Sequence, residues 1–320
     1  MGLLKRSIFF LVDLVFVVAG YPAALILFAY RRIGSGRLPF ATLMLRKVGV
    51  FPVRRHYYEP LFDNRELRAP LTHERHLPGI DLDVAGQLEF LSKLNRNDEL
   101  LDLQWLAPPA KPEGFQFGND AFESGDADFF YQFIREIKPG RIIEIGSGHS
   151  TKVAQTALAR NRDETGMETS HICVEPYEMP WLEKLSDVKV LRERVETCSI
   201  RWETELQAGD LLFIDSSHMI RPQGDVLAEY LEILPTLASG VFVHVHDIFT
   251  PRDYLTEWIE TDVRFWNEQY LLEAVLGNSS RYKIVAALNF LSNNHSKEMK
   301  RVCPYLTDGR QPGSFYFVVN

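Results

Sequence analysis

The sequence predicts an α/β fold, a doubly wound sheet of mostly parallel strands. From Arg141 onward, short runs of β-branched and apolar residues alternate with segments whose apolar residues have helical spacing. The first run, residues 142–145, ends in a glycine turn at residues 146–148, after which Ser150 and Thr151 can open a helix. Later runs also end in polar residues. Strands, turns and helix starts that repeat in this order indicate a sheet with helices on both faces.

Seven strands are predicted, with an antiparallel last one. They lie at residues 142–145, 171–174, 188–191, 211–214, 240–245, 282–288 and 314–319. A long loop without a clear helix separates the last two, which favours an antiparallel, hairpin-like finish. Helices are predicted at residues 88–103, 226–237 and 266–276, and another ends at residue 137 before Lys138-Pro139-Gly140.

The glycine turn after the first strand is typical of a nucleotide-like ligand site. Gly146 and Gly148 let the backbone approach a ligand closely, and the following helix offers unpaired N–H groups. The dinucleotide fingerprint needs Gly or Ala three positions after its second glycine, where this chain has Thr151. An acid, Glu144, also precedes the turn. Both departures disfavour NAD.

Composition sets limits on the function. A chain of 320 residues that is 46% hydrophobic can bury a large core, as one domain or two. Three cysteines, an odd number and widely spaced, indicate reduced thiols in a cytosolic compartment. Residues 1–55 carry nine basic side chains and one acid, although the whole chain has a net charge of −8. The acidic remainder repels phosphates, so no nucleic-acid partner is expected.

An apolar segment at residues 7–30 is long enough to cross a membrane, which takes about 20 residues. Arg31-Arg32 end it without a small-residue cleavage site, so it is interpreted as a retained anchor. Asp13 would be costly in hydrocarbon, and the Gly-Tyr-Pro sequence at residues 20–22 can break the helix, so a re-entrant hairpin is an alternative to a span. The basic flanks place the body in the cytoplasm in either case.

Residues 34–53 place apolar side chains between basic ones, which suits either an anionic lipid surface or an ordinary linker. Tyr57 and Tyr58 could line a substrate pocket or pack at the edge of a core. Asp126, within an aromatic and acidic stretch, is predicted with them as a substrate contact. The predicted divisions are an anchor at 1–33, a basic and aromatic linker with an N-terminal extension at 34–113, and a catalytic domain at 114–320.

The residues just after the strands are the best site candidates, because ligands of open α/β sheets bind beyond the carboxyl ends of strands. Glu175 follows the second strand, Asp215 the fourth, and His246-Asp247 the fifth. A carboxylate at the end of strand two can accept hydrogen bonds from two neighbouring hydroxyls at once. A surface acid at a strand end is the alternative for Glu175.

The segment 144–148 resembles the first motif of class I S-adenosylmethionine-dependent methyltransferases. The segments 213–218 and 243–247 resemble the branch with macrocin O-methyltransferases and cephalosporin-hydroxylase-like proteins, and the likeness covers residues 126–319. The resemblance implies a Rossmann-like methyltransferase sheet and S-adenosylmethionine as cofactor. The cofactor-binding residues that it implies are Glu144, Gly146, Ser147, Gly148, Ser150, Glu175 and Asp215.

The same strand ends are more distantly similar to metal-dependent catechol-type O-methyltransferases. That likeness implies a divalent ion, Mg²⁺ or Mn²⁺, with Asp215, His246 and Asp247 as ligands. Because Mg²⁺ favours oxygen, the imidazole shifts the preference toward Mn²⁺ or another transition ion, or indicates that no metal binds.

His218 and Asp215 are the predicted catalytic residues. His218 lies three residues after Asp215, and an imidazole with a pKa near ~6.5 suits a general base for an acceptor hydroxyl. The alternative is that His218 caps a helix or binds ribose or substrate passively. His149 is interpreted as part of the cofactor loop and His244 as a satisfied core histidine.

The resemblance, together with the apolar and basic N-terminal pattern, implies a membrane-anchored S-adenosylmethionine-dependent methyltransferase with its catalytic domain in the cytoplasm. The expected reaction is O-methylation of a small hydroxylated, sugar-containing or lipid-linked acceptor. An NAD-dependent oxidoreductase and a non-catalytic cofactor-binding subunit of a membrane glycan-assembly complex are the alternatives. The sequence does not indicate the acceptor or the oligomeric state.

Overall fold

A computed structural model describes residues 3–109, 111, 113–177 and 179–320. The chain divides into two compact units, Met1–Ala69 and Pro70–Asn320. Residues 70–113, which the sequence interpretation assigns to the N-terminal extension, therefore group with the sheet. One reason is a pair of side-chain bonds from Arg75 to Glu273, across 198 residues of chain.

The first unit contains a long helix, α1 (Leu3–Ile33), and a shorter one, α2 (Pro39–Val48). The re-entrant alternative predicts a break near Pro22, but α1 continues through this proline as one helix. Its part from Lys5 to Ile33 is long and apolar enough to cross a membrane, and none of its most apolar stretch is buried. Length and composition alone would also fit a signal sequence.

The second unit is built on a seven-stranded sheet in the order β3-β2-β1-β4-β5-β7-β6. Strands β1 to β5 are parallel where they pair, and β7 is antiparallel to β5 and β6, which confirms the predicted sheet. The strands are β1 (Arg141–Ile145), β2 (Ser170–Val174), β3 (Lys189–Leu191), β4 (Leu211–Ile214), β5 (Phe242–Val245), β6 (Tyr282–Ala287) and β7 (Phe315–Val319).

Ten helices of the described part of this unit surround the sheet. They are α3 (Val84–Lys93), α4 (Asn97–Asp102), α5 (Asp126–Ile137), α6 (His149–Thr165), α7 (Trp202–Glu205), α8 (Asp225–Ala228), α9 (Thr256–Glu260), α10 (Glu268–Leu276), α11 (Leu288–Asn294) and α12 (Ser296–Val302). The predicted long loop between the last two strands is wrong, because α11 and α12 occupy it. The helix predicted at 226–237 is α8 followed by a π turn, Glu229–Ile233, and a 3-10 turn.

Each face of the sheet carries its own apolar core. Along β4, Leu211 and Phe213 belong to one buried cluster, whereas Leu212 and Ile214 belong to the other. Side chains of a strand alternate between the two faces, so this division follows directly from the strand geometry. The sheet is thus covered on both sides, as its near-continuous apolar strands predict.

Candidate functional site

The strand register brings the predicted site residues to one edge of the sheet. Ile145 at the end of β1 pairs with Val174 of β2 and with Ile214 of β4, and Ile214 pairs with Val245 of β5. The chain runs outward from β1 to β3 and then returns to the other side of β1 as β4. Such a reversal opens a crevice at the carboxyl ends of strands.

Gly146 is wedged between the ends of β2 and β4. Its φ is +78°, and a Cβ at this position would lie 1.9 Å from the carbonyl oxygen of Asp215. Its N–H donates to the Val174 carbonyl at 3.0 Å, while the Asp215 N–H donates to the Ile145 carbonyl at 2.8 Å. Only glycine fits here, because both the left-handed φ and the close contact exclude a side chain.

A cavity of about 710 Å³ opens at this edge of the sheet. Its volume falls within the range of about 300–1,000 Å³ that is usual for small-molecule sites. Six of the seven predicted cofactor residues line it, namely Gly146, Ser147, Gly148, Ser150, Glu175 and Asp215. The sequence interpretation missed other lining residues, among them Phe122, Met179, Arg194, Arg221 and Asp225.

Glu175 ties the second strand end to the glycine turn. Its carboxylate accepts from the backbone N–H of Tyr177 at 2.9 Å and of Ser147 at 3.3 Å. The residue is 8% exposed and lines the cavity. A carboxylate in this place can meet ligand hydroxyls without a change of backbone, because the turn already fixes it.

Two polar atoms at the cavity wall have no hydrogen-bond partner among the described residues. They are the buried Oγ of Ser147 and the buried Nδ1 of His149. Burial and the nearby Lys152 ammonium lower the pKa of His149. An unsatisfied buried polar group costs about 1–3 kcal/mol, so both atoms fit a ligand that would bond to them.

Glu144, the seventh predicted cofactor residue, is not among the described residues that line this cavity. Its fully buried carboxylate accepts from the Thr151 hydroxyl at 2.6 Å and lies 3.0 Å from Nε2 of His171. Burial opposes a charge on His171, but Cys173 and Glu144 outweigh it and raise the pKa of His171 to about 10. Glu144 therefore holds the first turn of α6 in place, and direct cofactor binding by it stays a prediction.

The three predicted metal ligands converge beside the cavity. Nδ1 of His246 lies 3.4 Å from Oδ1 of Asp215 and 3.5 Å from Oδ1 of Asp247, and one atom from each group falls within 4.8 Å of the others. That ring nitrogen is buried and has no hydrogen-bond partner among the described residues. Two carboxylates and one imidazole whose Nδ1 makes no hydrogen bond among the described residues fit a divalent transition ion such as Mn²⁺ better than Mg²⁺.

The pKa values of Asp215, His246 and Asp247 depend strongly on the charges of neighbouring groups in the site. Burial alone would raise the pKa of Asp215, but the His246 and His218 imidazoles hold it well below its ordinary range. Burial would likewise lower the pKa of His246, and Asp247 and Asp215 raise it instead. For Asp247, burial prevails over both imidazoles and raises the pKa.

His218 lies next to this cluster in a left-handed conformation, with φ +57°. Its Nε2 faces Oδ1 of Asp215 at 3.3 Å and Oδ2 of Asp247 at 3.5 Å. Its Nδ1 lies 2.7 Å from Oε2 of Glu268, and the Tyr230 hydroxyl donates to Oε1 of the same carboxylate at 2.8 Å. The strained backbone and the fixed ring are typical of a functional residue.

Glu268 is another site residue that sequence reasoning missed. It opens α10, 50 residues after His218, and is fully buried. An acid in the first turn of a predicted helix ordinarily stabilises the helix dipole from the surface. Although burial opposes the charged imidazole, Asp215 and Glu268 raise the pKa of His218 well above its usual range.

The predicted substrate contacts lie in different units. Asp126 is buried, accepts from the N–H groups of Gly313 and Ser314, and has its Oδ2 3.9 Å from Nε2 of His246. Tyr57 and Tyr58 belong to the first unit and are 90% and 85% exposed. Their contact with substrate stays a prediction.

His244 is a core histidine, as predicted, but it is not a satisfied one. Neither ring nitrogen has a hydrogen-bond partner among the described residues, and the ring stacks on Tyr316 with centroids 4.1 Å apart. Burial and the neighbouring His246 lower the pKa of His244 well below its usual value. A neutral imidazole in an aromatic environment is the consequence.

Comparison with known proteins gives a family match over this region. Residues 143–248 match the family described as "Methyltransferase domain". This match supports a methyltransferase. The matched range contains the glycine turn, Glu175, Asp215, His218, His246 and Asp247.

A curated relative is an uncharacterized protein of Archaeoglobus fulgidus, 29% identical over 151 residues. That alignment covers 43% of this chain and 64% of the relative. Similar solved structures include a putative O-methyltransferase from Klebsiella pneumoniae, at 15% identity and a TM-score of 0.37 over 72% of this chain and 90% of the other. The O-methyltransferase TomG of Streptomyces achromogenes, involved in tomaymycin synthesis and solved with S-adenosylmethionine, is 15% identical with a TM-score of 0.35 over 75% and 91%.

Proposed function

We propose that this protein transfers a methyl group from S-adenosylmethionine to an oxygen of a hydroxylated acceptor. The observation that carries the proposal is that the cavity adjoins an acid and histidine cluster, which consists of Asp215, His218, His246 and Asp247. Asp215 belongs to both, since it lines the cavity and contacts His218 and His246. A donor site and a proton-accepting group that share one residue suit a direct transfer between two bound molecules.

The cofactor would occupy the cavity of about 710 Å³. Its ribose hydroxyls would donate to Glu175, while Ser147 Oγ and His149 Nδ1, both without partners among the described residues, offer bonds to its polar groups. The α6 N-terminus that follows the turn provides further N–H donors. A cofactor held by these groups would lie beside Asp215, which lines the same cavity.

In the proposed reaction an acceptor oxygen forms a bond to the methyl carbon as the carbon–sulfur bond breaks. The bonding pair remains on sulfur, which leaves S-adenosylhomocysteine, and the hydroxyl proton goes to Nε2 of His218. Glu268 holds the other ring nitrogen and so fixes which edge of the imidazole faces the acceptor. His218 must be neutral to accept this proton, so its surrounding carboxylates have to be compensated when the substrates bind.

A divalent ion would be held by Asp215, His246 and Asp247. Bound there, it would supply positive charge that neutralises the two carboxylates, lowers the pKa of His218 and stabilises an ionised acceptor oxygen. For any such ion, the protein presents one ligand atom each from Asp215, His246 and Asp247 and places the His218 imidazole next to them.

We further propose that α1 anchors the enzyme in a membrane with the second unit in the cytoplasm. The basic pair at the end of α1, Arg31 and Arg32, supports this orientation. A membrane location favours a lipid-linked or envelope-glycan acceptor over a freely diffusing one. The closer assignment to the macrocin-type branch stays a prediction.

The test is methyl transfer by the full chain in detergent, with radiolabelled S-adenosylmethionine and extracts of lipid, glycan and small soluble compounds. Label should enter a hydroxylated lipid or glycan, and Asp215→Asn should abolish the transfer. Asp187→Asn, on an exposed surface position 53% accessible, is the matched control and should transfer normally. Binding of the cofactor with no transfer to any extract would instead indicate a non-catalytic subunit, and label only in soluble products would exclude the lipid-linked acceptor.

A further inference from the structure

Helix α2 turns an apolar face away from the rest of the first unit. Four large apolar side chains are exposed on it by 88, 67, 54 and 69%, namely Phe40, Leu43, Met44 and Val48. Their spacing of three and four residues puts them on one stripe of the helix. A stripe of this size is unfavourable in water and needs an apolar environment.

The opposite face fixes the helix against the end of α1. Leu45 is buried, and the Thr42 hydroxyl donates to the Ser35 and Leu38 carbonyls at 2.8 and 2.9 Å. The same hydroxyl lies 2.5 Å from the hydroxyl of Tyr30, which is 6% exposed in the last turns of α1. The orientation of the apolar stripe is therefore set by the corner between α1 and α2.

Basic side chains border the stripe, and no acid lies near it in the sequence. Arg37, Arg46 and Lys47 are exposed, and residues 34–53 contain no Asp or Glu. Each basic residue close to an anionic membrane strengthens binding about fivefold, so three together give roughly 100-fold. An apolar stripe bordered by cations and beginning six residues after the candidate membrane helix fits a lipid interface better than a protein groove.

We propose that α2 is an interfacial helix that lies in the headgroup layer of an anionic bilayer. Phe40, Leu43, Met44 and Val48 insert toward the acyl chains, and Arg46 and Lys47 contact lipid phosphates. This assigns a lipid-binding surface that methyl transfer itself does not need. Helix α2 would thereby hold the residues that directly follow it at a fixed distance from the membrane surface.

The experiment uses the full chain in nanodiscs of phosphatidylcholine alone or with phosphatidylglycerol. Cys198→Ser removes the partly accessible thiol from the background. One variant carries a spin label at Leu43→Cys, on the apolar stripe. The matched control carries the label at Gly36→Cys, before the helix. In anionic discs the label at 43 should collide with oxygen and be shielded from a water-soluble nickel chelate, while the label at 36 stays open to nickel. Arg46→Glu with Lys47→Glu should weaken the anionic preference by about 25-fold or more and return the label at 43 to water.

Three results would overturn the proposal. A label at 43 that is as open to nickel as the label at 36 would show that α2 stays in water. Shielding from both nickel and oxygen would show that a protein covers the stripe. Equal depth in both kinds of disc, unaffected by charge reversal, would remove the selectivity for anionic lipid.

Discussion

Substituting Gly146 by alanine tests the close approach between the ends of β1 and β4, and Gly166 provides the matched control. Both glycines have left-handed φ values, +78° and +71°. A Cβ at 146 would lie 1.9 Å from the Asp215 carbonyl oxygen, whereas at 166 nothing lies within 4 Å. The conformational cost of alanine, about 1–2 kcal/mol, is thus common to both variants, and only Gly146→Ala adds a clash.

Relief of the clash requires the strand ends to separate by more than an ångström. Movement of this size breaks the bond from Gly146 to Val174, the bond from Asp215 to Ile145, or both. Each broken buried bond costs about 1–3 kcal/mol. Urea unfolding should therefore show a loss of about 1–2 kcal/mol for Gly166→Ala and roughly 2–8 kcal/mol for Gly146→Ala, depending on whether one bond or both are broken. Equal losses in the two variants would refute the wedged arrangement.

Three further predictions concern Glu268, the buried carboxyl group of Asp128 and the candidate metal site. Glu268→Gln should lower kcat by about 10²-fold or more with little change in cofactor affinity, because the His218 imidazole loses the charge that orients it. The control is Glu273→Gln, in the same helix but paired with Arg75, which should leave kcat unchanged. Equal losses of kcat in the two variants would argue against a role of Glu268 in positioning His218. Burial raises the pKa of Asp128 to about 6, although N–H groups of Gly125 and Tyr305 oppose the shift. The unfolded state ionises first, so stability should fall by roughly 3 kcal/mol as the pH rises from about 4 to 6. Asp128→Asn should remove this slope in urea midpoints, and a slope that persists would assign it to other groups. Mn²⁺ should raise the Tm of the wild type, and EDTA should reverse that rise. Asp247→Asn should show no rise in Tm with Mn²⁺. If no divalent ion raises the Tm of the wild type, the result would count against a metal site.

Much of the fold was predictable because the strands of the sheet are short, apolar and bounded by polar residues. Glu175, Asp215 and Asp247 each follow the carboxyl end of a predicted parallel strand. The sequence therefore predicts that they lie at one edge of the sheet, without any tertiary information. The two helices between β6 and β7 were missed, since the segment 288–302 is rich in Asn, Ser and Lys and lacks a clear apolar period. Burial of Leu288, Leu291, Met299 and Val302 in the apolar cluster on one face of the sheet stabilises them instead.

The site was harder to predict where a side chain acts through a distant partner. Glu268 has the sequence context of an ordinary helix-start acid, and only the tertiary fold brings it 2.7 Å from His218. Conversely, Glu144 has the sequence context of a ligand-binding acid, yet its carboxylate is occupied by Thr151 and His171. The two acids differ in their partners, which lie 27 residues away in the sequence for Glu144 and His171 and 50 residues away for Glu268 and His218. A local sequence pattern does not predict contacts over such separations.

Calorimetric titration of the full chain in detergent with S-adenosylmethionine tests the central claim most directly. The wild type should bind, and Glu175→Gln should bind about 10–150-fold more weakly, since hydrogen bonds to a charged group contribute about 1.5–3 kcal/mol. Glu168→Gln, with its side chain 78% exposed, should match the wild type. Absence of binding by the wild type, or equal affinity of Glu175→Gln and Glu168→Gln, would contradict the assignment of this cavity to the cofactor.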